Sequence, residues 1–368
     1  MSLNGRTVAV FALGGTIATT ASPATGGVVP ALSGKELLEG VPGLSALGVT
    51  LHVHDFRRVA SASLTLSDLD ALHAAIAAEL DSGTVDGVVI VQGTDTIEET
   101  AFHLDLLHQG DTPVVFTGAM RNPTLPGPDG PANLHAAVIA AAGPWLRDAG
   151  CVVVLGDEVH AARTVQKSHT VGTSAFTSPG AGPLGLVAEG KVRLHQGLPH
   201  RAVLPAADET RTTARRTVRV ALHTVTVGDD GTVLDLLDSR CEGLVVAALG
   251  GGHVPEWLVP RLRRLADRVP VVLSSRVANG PVLTSTYSYP GSERDLIANG
   301  LIPSGDLNPY KARLLLHRLL STGCRDRERI TQAFAALGDP PAEPCRPPHR
   351  GGRAAYKPVD ERGADATT

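Results

Sequence analysis

Short apolar runs recur along the 368-residue chain, each closed by a turn and followed by a helical pattern. The runs TVAVFAL (7–13), GVVIVQ (87–92), PVVFTG (113–118) and CVVVLG (151–156) are β-branched and continuous. A strand with one wet face alternates apolar and polar positions, so runs without alternation suit strands buried on both faces. Between them, the amphipathic segments 67–80, 97–109 and 130–142 predict helices, and Ser67 offers an N-cap for the first. Strand–helix alternation predicts an α/β fold, with a parallel sheet covered on both sides.

The pattern lapses after residue 194. Residues 195–215 are polar and irregular, with Pro199, Pro205 and the stretch AADETRTTARR, and read as a linker. The expected organisation is a large N-terminal α/β domain over 1–194 and a smaller C-terminal α/β domain over 216–338. The latter has strands at 218–224, 243–249 and 269–275 and helices near 255–266, 308–321 and 326–337. Residues 339–368 are rich in Pro, Gly and Arg without periodicity, and are expected to be a disordered tail.

Composition narrows the function classes. A net charge of −4 with no basic stripe argues against nucleic acid or an anionic membrane as the main partner. No stretch approaches the roughly 20 apolar residues of a membrane span. The first apolar run lacks a charged start and a cleavage site, so it reads as a strand rather than a signal peptide. The four cysteines are far apart and unpaired in spacing, which fits free thiols in the cytoplasm.

Two strand ends carry candidate chemistry. The first strand runs into Gly14-Gly15-Thr16, and the strand at 87–92 runs into Gly93-Thr94-Asp95-Thr96. Ligands of open α/β sheets bind at the carboxyl ends of strands, where strand order reverses. Glycines allow close backbone approach there, and helix N-termini favour an anion or a developing oxyanion. Each motif also has a plainer reading. The first resembles a phosphate loop but fits neither dinucleotide nor Walker spacing, and TDTIEET is also an acidic first turn of a capped helix. Lysine usage shifts the balance. Only five of 33 Lys+Arg residues are lysines, and one of them, Lys167 in ARTVQKSHT, follows the strand at 151–156. A lysine there can serve a threonine as proton acceptor or hydrogen-bond donor.

The motifs GGTIA (14–18), QGTDTIEET (92–100), GAMR with DGPANL (118–121, 129–134) and RTVQKSHT with SAF (163–176) resemble those of the bacterial-type L-asparaginase/glutaminase family, the threonine amidohydrolases. SSRVANG (274–280) and LNPYKARLLL (307–316) extend the resemblance to about residue 337. The resemblance implies Thr16 as nucleophile on a mobile loop, and Thr94, Asp95 and Lys167 as a second hydroxyl–carboxylate–lysine set. It implies that Asp95 holds the substrate α-ammonium, that Ser61 binds the α-carboxylate, with Ala62 and Gly93 beside it, and that Ala119 meets the side-chain amide through its backbone. It further implies hydrolysis of L-asparagine through an acyl-enzyme, no metal or organic cofactor, and dimers or tetramers whose sites are completed across the dimer. A lysine free in water ionises near about 10.4, and a carboxylate neighbour opposes the roughly 3-unit drop a base at pH 7 needs. Lys167 is therefore expected to orient Thr94 and stabilise charge.

The chain departs from the family pattern in four places. The loop after Thr16 has no tyrosine, and Ala62 stands where a polar side chain is usual. His253 occupies the place of an asparagine lent to the neighbouring subunit, and the lent acidic residue falls on Glu293, with Tyr287 as the other candidate. Three rival readings remain: a metal-dependent amidohydrolase, an amidotransferase subunit and a non-catalytic amino-acid-binding module. His52 and His54 point to one face of a strand, but no HExxH motif supplies further ligands, and His103 and His108 fall inside a predicted helix. The expected reading of HVHD is a partly exposed strand. The amidotransferase needs an extra domain before the first threonine motif, and a silent module has no use for the full threonine–aspartate–lysine set.

Overall fold

The computed structural model describes residues 3–22, 27–30, 32–198, 204, 218–237 and 239–338. Most of the expected linker and all of the expected tail lie outside these residues. The strands are β1 (Thr7–Ala12), β2 (Thr19–Ser22), β3 (Gly27–Pro30), β4 (Thr50–Asp55), β5 (Gly87–Val91), β6 (Val114–Thr117), β7 (Cys151–Leu155), β8 (Glu158–Ala161), β9 (Gln166–Lys167), β10 (Phe176–Thr177), β11 (Gly185–Ala188), β12 (Lys191–Leu194), β13 (Val220–Thr224), β14 (Gly243–Ala248), β15 (Val271–Ser275) and β16 (Ile302–Pro303). The helices are α1 (Gly34–Glu39), α2 (Leu66–Asp81), α3 (Ile97–Asp105), α4 (Gly130–Ala142), α5 (Thr232–Leu237), α6 (Val259–Ala266), α7 (Glu293–Ala298), α8 (Pro309–Ser321) and α9 (Arg327–Gly338).

The large sheet has the order β12-β11-β8-β7-β6-β5-β1-β4. The five strands from β4 to β7 are parallel, and β8, β11 and β12 extend it antiparallel. The chain passes from β1 to β4 on one side and then returns to β5 on the other, so strand order reverses between β1 and β5. In-register pairing sets Ala12 opposite Val91. The two threonine motifs therefore leave the sheet side by side at the switch point, the usual ligand crevice of this architecture.

Continuous apolar runs explain the layering. Val8, Val10, Val89 and Val91 face α4 through Leu134, Ala137, Ile139 and Ala141. The intervening Ala9, Phe11, Val88 and Ile90 face α2 and α3 on the opposite side. Each large side chain buried this way contributes about 1.5–3 kcal/mol. The smaller sheet is the all-parallel β13-β14-β15-β16. Helix α3 joins the two halves, because its Phe102, with Leu106 just beyond it, lies in the same core as Val220, Leu315, Leu316 and Phe334.

Local differences from the sequence reading have tertiary causes. Helix α2 starts one residue early, capped by Thr65 in a reciprocal box with Asp68, and Ser67 lies inside it. Ser67 also has an acidic residue three positions on, but that residue, Asp70, meets His103 at 3.2 Å. Helix α3 ends at Asp105 rather than near 109, where the Asp105 carboxylate accepts the Cys151 N–H and His108 turns to the Thr112 carbonyl. The HVHD segment is β4, an edge strand with mixed exposure whose His52 and His54 share Glu79 at 3.0 and 3.4 Å. Among the described residues, no group of three or more His, Cys, Asp or Glu is placed to hold a metal ion, and no helix is long and apolar enough to cross a membrane.

Candidate active site

Three chain turns meet at the switch point. After β1, Gly14 and Gly15 adopt φ of +98° and +94°, conformations that favour glycine. A Cβ on Gly15 would stand 2.2 Å from the Gly93 nitrogen, so the backbone just before Thr16 rests on the backbone just before Thr94. Ser61 closes the third side. A Cβ on Gly93 would stand 2.7 Å from Ser61 Oγ, and the Ser61 carbonyl accepts a hydrogen bond from Thr96 Oγ1 at 3.1 Å. Small residues are required here because three backbones touch. Thr16 opens a short 3-10 turn over Thr16–Ala18, just as Thr94 opens one over Thr94–Thr96.

Lys167 reaches this platform from β9. Its Nζ donates to Thr94 Oγ1 at 2.9 Å and to Asp95 Oδ1 at 2.7 Å. Thr94 is 5% exposed, the Lys167 side chain 15% and the Asp95 side chain 65%. The set thus grades from a buried hydroxyl to a carboxylate open to solvent. Ser61 is buried, and its Oγ has no hydrogen-bond partner. A buried hydroxyl left unmet is unfavourable and is rare in native folds without a reason. Ala62 is exposed beside it. Ala119 is buried, and a Cβ on the preceding Gly118 would touch Thr94 Cγ2 at 3.3 Å, so the turn after β6 forms the fourth wall.

His253 and Glu293 come together elsewhere. Their hydrogen bond, 3.2 Å from Nε2 to Oε2, and the ring contacts of His253 with Tyr287 and Tyr289 stay within the C-terminal half. Glu293 is wholly buried, and its Oε1 accepts the backbone N–H groups of Thr286 and Tyr287 at 2.8 and 2.6 Å. It faces inward and clamps its own loop, whereas the resemblance implies an outward-reaching carboxylate. Tyr287 and Tyr289 are the exposed members of this cluster.

The geometry agrees with what comparison of the whole chain finds. Residues 7–200 match the family described as Asparaginase, N-terminal, and residues 219–334 match the Glutaminase/Asparaginase C-terminal domain. The chain belongs to the asparaginase family. It is 37% identical to a probable L-asparaginase of Deinococcus radiodurans, over 89% of this chain and 96% of that one. It is 33% identical to a glutaminase-asparaginase of Pseudomonas fluorescens biotype A, over 89% of each. The crystal structure of a probable cytoplasmic L-asparaginase from Campylobacter jejuni superposes with a TM-score of 0.76 at 31% identity, covering 89% of this chain and 99% of that one.

Within this asparaginase-family site, four polar residues support the platform that the sequence reading gave no role. Gln92 Nε2 lies 3.3–3.4 Å from the Gly93 carbonyl and the hydroxyls of Thr96 and Thr100. Asn133 donates to the Gly118 carbonyl at 3.0 Å and accepts the Gly156 N–H at 2.9 Å, fixing the wall after β6. Glu98 Oε2 accepts the backbone N–H of Lys167 at 3.0 Å. Lys311, buried in α8, donates to the carbonyls of Arg163 and Val165. Burial draws Lys311 down to about 7 against the opposing pull of Glu98 and Asp105. Burial also raises Glu98, with Lys311 opposing. All four stand in the quoted motifs; the signal that would have found them is a polar side chain inside an otherwise apolar helix or strand end.

Proposed function

We propose that this chain hydrolyses the side-chain amide of L-asparagine to L-aspartate and ammonia, with L-glutamine as a second substrate. The observation that carries this reading is the Lys167 ammonium between Thr94 Oγ1 and Asp95 Oδ1, beside the backbone contact that brings the Thr16 motif to the Thr94 motif. An amide is a poor electrophile with a poor leaving group, so its hydrolysis calls for a nucleophile, a proton path and stabilisation of the oxyanion. Thr16 supplies the hydroxyl that attacks the amide carbon. Its proton passes to the departing nitrogen, ammonia leaves, and a threonyl ester remains. Water then adds to the ester and releases the acid. Lys167 acts as a donor, aligning Thr94 and stabilising negative charge that develops near it. The unmet Ser61 Oγ fits the substrate α-carboxylate, and the open oxygen of Asp95 fits the α-ammonium.

The names of the relatives support the substrate class, since both L-asparaginase and glutaminase-asparaginase occur among them. The exposed rings of Tyr287 and Tyr289 with His253 support a C-terminal surface that completes the site of a second copy in a dimer or tetramer. A cytoplasmic location is part of the same proposal and fits Cys151 and Cys241, buried thiols outside any disulfide. The deciding experiment is ammonia release from L-asparagine, L-glutamine and D-asparagine by the native chain, Thr16→Ala and Thr94→Ala. Each variant is expected to lose about a thousandfold or more in kcat. A native chain that binds L-asparagine without releasing ammonia would make it a binding module, and an active Thr16→Ala would remove the acyl-enzyme.

A further inference from the structure

We propose that Lys311 is a positioning residue for Lys167, by which the C-terminal half sets the geometry of the threonine site. The inference rests on the function proposed above. It starts from the sequence LNPYKAR. Asn308 caps α8 by accepting the Lys311 N–H at 3.0 Å, and Pro309 fixes the first turn, so Lys311 has a defined place near the helix start. That place is unfavourable for a lysine on two grounds. The helix N-terminus repels a cation, and the side chain is 1% exposed. Only five of the 33 Lys+Arg residues are lysines, and this one is buried, whereas Lys35 and Lys191 are exposed.

The contact lies in the N-terminal half. Lys311 Nζ donates to the Arg163 carbonyl at 2.9 Å and to the Val165 carbonyl, 148 and 146 positions away. These carbonyls belong to the turn between β8 and β9. Two residues after Val165 comes Lys167, whose N–H is held by Glu98 and whose Nζ meets Thr94 and Asp95. Glu98 and Asp95 are on the same short stretch as Thr94. Lys167 is thus gripped at its backbone and its tip by the platform, while the segment that delivers it is gripped by α8. An uncharged amine retains two N–H donors, matching the two carbonyls, so the grip does not need the charge. Without it, two carbonyls lose their donors and the segment relaxes. A misplacement near 1 Å far from the chemistry can cost about 100-fold in rate.

The test is Lys311→Met; should it fail to fold, Lys311→Met/Glu98→Gln is read against Glu98→Gln alone, because Glu98 itself holds the Lys167 N–H. Steady-state kinetics with L-asparagine, scaled to folded protein, should show kcat down about 10- to 100-fold with KM changed less than about threefold. Amide hydrogen exchange over residues 161–168 should quicken, while β5 and α4 stay protected. Unchanged kcat per folded molecule, or exchange that rises uniformly across the chain, would reduce Lys311 to a packing residue and overturn the proposal. If the native chain releases no ammonia, the proposed function fails on its own, and the exchange measurement still decides whether Lys311 holds the segment.

Discussion

Both sheets carry hydroxyls at the carboxyl ends of their central strands, and they use them differently. In the small sheet, Ser274 Oγ donates to the Leu307 carbonyl at 2.9 Å and Ser275 Oγ to the Gly250 carbonyl at 2.6 Å. These hydroxyls tie loops to the strand through loop carbonyls. In the large sheet, Thr94 Oγ1 at the end of the central β5 accepts from an ammonium, while Ser61 Oγ, in the turn beyond the edge strand β4, is left unmet. The positions are equivalent in the architecture, but the hydroxyl partners differ: loop carbonyls in the small sheet, a lysine ammonium in the large one. A strand-end hydroxyl is therefore not a signal of chemistry by itself; its partner is.

The strongest way to break this comparison is to take the partner away. Lys167→Met keeps the length of the side chain and removes the donor, leaving Thr94 without its cationic partner. We expect kcat to fall about a thousandfold with KM rising less than about tenfold, read by steady-state ammonia release. A variant within tenfold of the native rate would mean that the Thr94–Lys167 bond is structural, like its counterparts in the small sheet.

Gly15 tests whether the backbones of the two threonine motifs must touch. Any Cβ there meets the Gly93 nitrogen at 2.2 Å, on a backbone at φ +94°. Gly15→Ala must therefore shift one turn against the other, with an expected loss of about 100-fold in kcat and about 2–3 kcal/mol in stability. Full activity in Gly15→Ala would show that Thr16 is positioned independently of Gly93.

The junction between the two regions should reveal itself in pH. The folded pKa of Lys311 is lowered to about 7 from 10.5. Below pH 7 the residue is charged in both states, and burying that charge opposes folding fully. Between about 7 and 10.5 the unfolded chain binds the extra proton, so rising pH favours the folded state, with a slope on the order of 1 kcal/mol per pH unit. The stability of the native chain minus that of Lys311→Met should therefore grow across this window. Denaturant unfolding of both proteins at a series of pH values measures it, and a flat difference would mean that Lys311 titrates as a solvated lysine.

What the sequence made legible follows the same physical line. The parallel strands β1, β5, β6 and β7 were readable because burial on both faces leaves unbroken apolar runs. Strands β8, β11 and β12 were not, since EVHA, GLVA and KVRL are too short and too mixed to stand out from loops, and only pairing defines them. The Thr65 and Ser67 caps could not be told apart locally, because each has an aspartate three residues on, and the contact of Asp70 with His103 is tertiary. Thr94, Asp95 and Lys167 were readable from motif and lysine scarcity together. Lys311 and Glu98 were not, because in sequence one is a helix-start lysine and the other an ordinary first-turn acid, and their meaning lies in partners more than sixty positions away.

The smallest expected effect is the sharpest control. Ser274 is fully buried, and Ser274→Ala removes one donor from the Leu307 carbonyl. That carbonyl keeps Ser304 Oγ at 3.0 Å, so no acceptor is left bare. The loss should be about 0.5–1.5 kcal/mol, the net worth of one hydrogen bond, with no unsatisfied-group penalty added. Denaturant unfolding reads the stability, and kcat should stay within about twofold of native because the hydroxyl serves only the fold. A tenfold fall in kcat at unchanged stability would join the small sheet's strand ends to the chemistry and dissolve the distinction between the two regions.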